Sequence, residues 1–431
     1  MKNFLRLIFV VALLFVSLPA SMATEDIAEE LLENKQENEI VLNQEDPEKN
    51  NDFVKKDKKS FFIFNNDNDD VMDNTELDFT LLKQLDTDKS NDEISEDTLF
   101  GKIYHSKITR TDVPTFLLQD DLTFKPQKGP VKKIHTYGAY RGSLSSIWRP
   151  EYSTDYDNLT TQIGMYGQFK NPDYKFKLAV NPIPISGRNY IDSFVSDMYV
   201  VNTSIPNHQI VAGYSRVQTG VEGGTSTYIL PFVARSQIAR NFGSARSLAL
   251  KVIGNYQYAD YNFSVGSSGR YITSGMPGAE FNGWVNFKPL GKKAKKYGKV
   301  TIGAGYNGGH NRIDYNVASA YIGYHHKRLW SNIEAAIADG YNGSKGISSN
   351  KANGYAATVG WKFNPHFQLI GRVDQFDPNR NVSGDLSREY TIGLNWFIKG
   401  QALKFVLNYV FCDNQNRADS HKIIMATQII F

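Results

Sequence analysis

The 431-residue chain has one cysteine, Cys412. An intrachain disulfide is therefore impossible, and no thiolate metal cluster can form. The chain also lacks any apolar run long enough to cross a bilayer as a helix, which takes about 20 residues. The longest run, Leu7 to Val16, follows Lys2 and Arg6 and leads to the small-x-small sequence Ser21-Met22-Ala23. Those are the parts of a secretory signal peptide, with cleavage after Ala23. Catalytic patterns are missing too. His325-His326 and His366 fall in turns and His421 opens a strand. No hydrolase motif surrounds any of them, and no pair has recognisable metal spacing. No enzyme activity, cofactor or nucleic-acid partner is expected. A mean hydropathy of −0.41 with 22% charged residues reads as soluble when taken alone. A membrane β-barrel reads the same way, because only every second strand residue meets lipid.

What is present divides sharply by charge. Residues 24–100 hold 24 Asp and Glu against 8 Lys and Arg, a net of −16. Residues 101–431 hold 38 basic and 21 acidic residues, a net of +17. Asymmetry of this size marks two physically different regions. Residues 24–130 are rich in Asn, Asp, Glu and Lys with few apolar positions, which predicts a largely disordered, periplasmic acidic tail. Phe61-Phe62-Ile63-Phe64 beside a lysine run could dock on a partner, such as the cell wall or a periplasmic protein. Asp86, Asp88, Ser90, Asp92 and Asp97 resemble a calcium loop. Asn91 stands where such a loop wants Gly, so a solvated acidic run is the default and calcium the weaker alternative.

From residue 131 onward, ten-residue segments alternate apolar with polar. The last is the most telling. Ile423, Met425, Thr427, Ile429 and Phe431 share one face of a strand, and Ile424, Ala426, Gln428 and Ile430 share the other. Such an apolar, aromatic-ended strand is a hazard in a soluble protein but closes an outer-membrane barrel, one face to lipid and its aromatic at the boundary. Counting back from it gives strands at 421–431, 402–412, 390–398, 367–376, 353–363, 329–339, 314–325, 297–306, 277–288, 258–265, 246–257, 208–217, 192–202, 174–182, 158–169 and 134–144. The expected fold is an all-β, transmembrane, antiparallel up-and-down barrel of about sixteen strands over 131–431, preceded by the tail and by the signal peptide 1–23. Short turns at 171–173, 364–366 and 399–401 alternate with longer loops at 266–276, 340–352 and 377–389, the asymmetry of periplasmic and outer ends. Phe287, Tyr324, Trp361, Phe363, Trp396 and Phe431 are expected in the periplasmic girdle. Tyr214, Tyr306, Tyr355, Tyr390, Tyr409 and Phe411 are expected in the outer one.

Alternation also assigns the lumen. Leu403, Phe405, Leu407, Tyr409 and Phe411 face lipid, so Lys404 faces in. The same argument points Lys177, Lys251, Lys288, Lys299, Lys362 and Arg372 inward, because charge at mid-membrane costs about 2–4 kcal/mol. Glu334 is an inward exception. Excess inward cations bias a water-filled pore toward anions. The longest outer loop runs from about 217 to 245 and contains the apolar stretch Tyr228 to Ala234, which needs a surface to pack on. A loop folded against the inner wall would narrow the channel, with Arg235, Arg240 and Arg246 at the constriction. Guanidinium suits phosphate or carboxylate oxygens. The alternative is pairing with lipopolysaccharide phosphates or with carboxylates on the wall.

Several of these stretches carry a family resemblance. Ile210 to Arg216, Leu230 to Ser236, the strand opening at Arg246, and Gln375-Phe376-Asp377-Pro378-Asn379 with the strands after it resemble the phosphate-selective porins of bacterial outer membranes. The resemblance implies a sixteen-stranded homotrimeric channel for passive diffusion of small solutes such as phosphate, with Arg235, and after it Arg246, lining a cationic constriction. The partners it implies are outer-membrane lipid and small anions in transit. A structural envelope barrel tethered through its tail is the competing reading, and an outer-membrane enzyme such as a lipase the third.

Overall fold

The computed structural model describes residues 123–243, 245–415 and 417–430. The signal-peptide and calcium-loop readings, the acidic tail up to residue 122, and the terminal Phe431 lie outside those residues. Among the described residues no helix is long and apolar enough to cross a membrane; the long elements are strands. The first eight are β1 (Val131–Trp148), β2 (Tyr152–Phe169), β3 (Tyr174–Val180), β4 (Val195–Asn202), β5 (His208–Arg216), β6 (Arg246–Asn255), β7 (Ala259–Ser267) and β8 (Ala279–Phe287). They continue as β9 (Lys299–Asn311), β10 (Ile313–His326), β11 (Leu329–Gly343), β12 (Gly346–Lys362), β13 (Phe367–Asp377), β14 (Ser387–Lys399), β15 (Leu403–Asn414) and β16 (Ser420–Ile430).

Each strand pairs antiparallel with the next, and β16 returns to β1 in a register running from His421 opposite Trp148 to Ile430 opposite Ala139. The sheet is therefore a closed sixteen-stranded antiparallel barrel with no free edge, the arrangement that lets strands cross a membrane with their backbone groups paired. The two-residue strand Thr123–Phe124 adds to β1 beside His135 and Ile134, at the end where the short turns lie.

Alternation sorts the side chains as the sequence predicts. Leu369, Val373, Val359 and Phe405 are exposed on the outer face, while Lys404, Arg372 and Gln428 are buried inside. Phe287, Trp361, Phe363, Tyr306, Tyr355 and Tyr390 are exposed rings of the two girdles. Tyr214 is a correction. It is buried, with its hydroxyl donating to Arg270 O at 3.1 Å, because loops close over the short end of β4 there.

Other departures are at strand ends. The expected loop at 340–352 is instead a continuation of β11 and β12 into a hairpin turning at Ser344-Lys345. A register shift between Asp339 and Tyr341, at Gly340 with φ +62°, re-aims this hairpin, and Gly346 with φ +110° closes its turn. β1 and β2 likewise run on beyond the expected bounds, to a three-residue connection. Residues 190–194, read partly as strand, form a one-turn helix, α1 (Tyr190–Phe194), capped by Asn189. Polar alternation continues above the lipid band, so hydropathy alone does not mark where strands stop.

Candidate functional site

The loop from Val217 to Ala245, hereafter loop 3, leaves β5 and returns to β6. Its root is closed by a hydrogen bond from Val217 N to Ala245 O of 3.0 Å. Between these points it packs against the barrel wall in separate patches. Val221 meets Trp284 and Tyr321; Phe232 meets Trp330 and Ile370. Tyr228 sits with Ala139 and Ile430, and Val233 with Val406 and Ala426. Ile238 and Phe242 belong to a larger cluster with Val317, Tyr341 and Phe376. Each such buried apolar side chain contributes about 1.5–3 kcal/mol. Ile238 lies on the short helix α2 (Gln237–Asn241), whose start is capped by Ser236 Oγ accepting from Ala239 N.

An irregular loop in a barrel leaves backbone groups without a ladder, and those groups must find partners. Here the wall side chains supply them. Arg141 donates to Thr227 O and, at 2.7 Å, to Phe232 O. Lys404, fully buried, donates to Tyr228 O and Leu230 O, both at 3.1 Å, and to Gln401 Oε1 at 2.7 Å. Arg372 donates to Ala234 O at 3.1 Å and Arg235 O at 3.3 Å, and its guanidinium lies 4.5 Å from the Phe232 ring centre. Loop amides are met by acceptors. Val221 N donates to Glu334 at 2.8 Å, Gln237 N to Asp374 at 2.7 Å, and Val233 N to Asn408 at 2.8 Å.

The cations expected at the site therefore separate into groups. Lys404 and Arg372 point inward but end on loop 3 rather than in water, and Lys177 and Lys251 point inward but are buried on partners of the wall; this corrects the lumen-lining assignment for all four. Arg235 is also corrected. It is only 8% exposed, and its guanidinium donates to Glu222 O, to Thr225 O at 2.7 Å and to Thr227 Oγ1 at 3.3 Å, so it staples the loop to itself. Arg240, on α2, reaches across to Glu389 on β14 at 2.5 Å. Burial opposes its charge, but the carboxylates of Glu389 and Asp374 outweigh that and hold the Arg240 guanidinium above its ordinary range. Arg240 thus pairs with a wall carboxylate, the alternative to a place at the constriction.

The wall sector formed by β2 to β7 has a different character. There Asp197 is held between Arg246 Nε at 2.9 Å and Lys177 Nζ at 3.1 Å. Lys251 donates to Arg216 O, and Arg216 faces Arg246 across the β5–β6 ladder. Lys288 pairs with Asp260 at 2.6 Å. Lys299 opens β9 opposite His325, and Lys362 lies 5.8 Å from the Phe397 ring centre. Above this sector a cleft is lined by Arg188, Tyr214, Arg246, Arg270, Tyr271 and Ser344. Arg270 is itself held by Glu280, which also accepts from Tyr315 OH at 2.5 Å. Among the described residues no cluster of three or more metal-ligating side chains occurs.

Sequence reasoning missed Arg141, Asp197 and the Arg188–Arg270 cleft. The first was within reach: Tyr140 and Leu144 share one face of β1, which sends Arg141 to the other. The cleft joins four loops distant in sequence, and no local pattern marks it.

A closed sixteen-stranded barrel with an inward-folded third loop defines an outer-membrane porin, a channel rather than an enzyme. The model of the family described as phosphate-selective porin O and P matches residues 150–431, and the chain belongs to that family. Solved structures share the fold. An anion-selective porin from Comamonas acidovorans is 9% identical, with 69% of this chain and 99% of that chain covered at a TM-score of 0.51. The outer membrane channel DcaP of Acinetobacter baumannii is 11% identical over 72% of this chain and 99% of its own, at 0.50. Salmonella typhi OmpF, in complex with daunomycin, is 12% identical over 69% and 98%, also at 0.50. No curated protein matches the chain.

Proposed function

We propose that this porin favours small anions, phosphate among them, diffusing between loop 3 and the wall sector β2–β7. The supporting observation is the charge around Asp197: Lys177 and Arg246 pair with it, and Arg216 and Lys251 lie beside them, so cations outnumber carboxylates here; Arg246 is part-exposed, while Lys177 and Lys251 are buried behind it and act through their field. A cationic lining raises the local concentration of anions and lowers that of cations. In this reading Arg246, not Arg235, is the arginine that sets selectivity, with Lys177 and Lys251 beside it, and Arg240 flanks the passage from the other side. The short turns face the periplasm, together with the N-terminal tail that follows a cleaved signal peptide, and the porin works as a homotrimer. The test is the reversal potential across a planar bilayer in a salt gradient. The wild type should prefer anions, and Arg246→Gln should reduce the anion-to-cation permeability ratio several-fold. Cation preference in the wild type would overturn the reading.

A further inference from the structure

The end of the barrel that carries the short turns is strongly basic. The connection between β8 and β9, residues 288–298, contains a turn of 3-10 helix and the four-residue helix α3 (Ala294–Tyr297). Lys292, Lys293, Lys295 and Lys296 are all exposed on it. The neighbouring turn between β10 and β11 adds exposed Lys327 and Arg328. The two turns adjoin: Tyr324 OH donates to Tyr297 O at 3.2 Å, and a Cβ on Gly298 would lie 2.8 Å from that of His326. No acidic residue lies in either turn, and among the described residues Asp173 is the only acid in the connections between strands on this side of the barrel. The opposite end is mixed, with Glu151, Asp192, Asp385 and Asp419 among its connections.

The chain itself supplies a complementary partner. Residues 68–100 contain eleven Asp and Glu against Lys83 and Lys89. The described chain begins at Thr123–Phe124, which pair with β1 at this same end. β1 and β9 stand eight strands apart in a ring of sixteen, so the basic turns are across the mouth from the chain's entrance. Sixteen tilted strands give a barrel about 30 Å across. Residues 101–122 can span up to about 70 Å when extended, more than enough.

We propose that turns 288–298 and 327–328 are the docking surface for this chain's own acidic segment 68–100, which crosses the short-turn mouth to reach them. The contact is between opposite charges on exposed groups, so salt weakens it, and it lowers the positive potential at that mouth. This inference stands apart from the anion preference proposed above, because it depends only on which end the two surfaces share.

The experiment measures acetylation rates of Lys292, Lys293, Lys295, Lys296 and Lys327 by mass spectrometry. It uses the full chain in neutral detergent at low salt, and a variant with every Asp and Glu of 68–100 changed to Asn or Gln. Both chains are first shown to be folded by heat-dependent gel migration. The lysines should react several-fold more slowly in the wild type, and the difference should vanish at 0.5 M salt, where the screening length is below ~5 Å. Carbodiimide should also join carboxylates of 68–100 to these lysines within one chain. Equal rates in both chains would overturn the proposal, as would cross-links confined to other lysines or to pairs of chains. Protection that appears equally in both chains, and only after phosphatidylglycerol is added, would assign the surface to lipid headgroups instead.

Discussion

Arg372→Ala should free loop 3 while leaving the barrel intact. The side chain makes two hydrogen bonds to loop carbonyls at 3.1 and 3.3 Å. It also lies 3.5 Å from Glu222 on the loop and 3.5 Å from Asp374 on its own strand, and covers the Phe232 ring. Alanine leaves two buried carboxylates without this cation and two carbonyls without this donor. Removing one partner of a buried pair costs about 3–5 kcal/mol. At about 1.4 kcal/mol per tenfold, the ratio of docked to undocked loop falls by roughly a hundred- to a few-thousand-fold. The ladder is not involved: Arg372 pairs through its backbone with Thr358 and Thr391, and alanine keeps those bonds. The variant should therefore still show the heat-dependent gel shift of a folded barrel. Its single-channel conductance should be larger and noisier, and trypsin should cut after Arg235 or Arg240 where the wild type resists. Arg372→Lys, which keeps the charge but loses the planar fork, should fall between the two. A variant with wild-type conductance and wild-type trypsin resistance would refute the claim that this guanidinium holds the loop.

Arg235→Ala should resemble Arg372→Ala in conductance and proteolysis and change ion selectivity little, whereas Arg246→Gln should do the reverse; bilayer recordings of both variants check this. Lys404→Met removes a buried ammonium and its desolvation cost, but leaves Leu230 O without that donor at about 1–3 kcal/mol, while Gln428 still serves Tyr228 O at 2.9 Å. The net effect should be under about 2 kcal/mol, read as a small rise in trypsin sensitivity of loop 3. Gly213 has φ +132°, and a Cβ there would lie 2.3 Å from Met198 O on β4. Gly213→Ala should force the β4–β5 ladder apart and lower the fraction of chain that refolds to the heat-modifiable form in detergent.

The barrel was legible because lipid imposes a strict rule. Charge on the outer face is expensive, so Leu403, Phe405 and Leu407 can face only one way and Lys404 only the other. Nothing so strict governs the inside. Inward alternation places Lys404 and Lys251 in the same class, and both are buried, yet one ends on the carbonyls of loop 3 and the other on Arg216 O of the wall, beside the Asp197 cluster. That distinction depends on the path of loop 3, which contacts strands far away in sequence, 200 residues in the case of Gln428 and Tyr228. The apolar content of Tyr228 to Ala234 did show that the loop must pack. It does not show which donors its carbonyls need, so from sequence Arg235, the most conspicuous cation in the motif, reads as a pore residue. In the folded chain it bonds to residues 222–227, an earlier stretch of its own loop.

If the channel favours anions as proposed, the wall cations have two separable tasks, and Arg141 shows where they overlap. Both of its hydrogen bonds go to loop carbonyls, so it holds loop 3 much as Lys404 does. A guanidinium nevertheless keeps its proton under any condition a porin meets. Carbonyl dipoles stabilise that charge without cancelling it, so a positive centre remains fixed behind the loop and adds to the field in the passage beyond. Selectivity and pore size therefore respond to different groups. On the proposed anion preference, Arg246 and its neighbours act on the field, Arg235, whose charge is offset by the Glu222 carboxylate bonded to the adjoining Ser236 N, acts on the loop, and Arg141 acts on both. Arg141→Met should therefore widen the channel and reduce its anion preference in one step, a combination that neither Arg235→Ala nor Arg246→Gln produces.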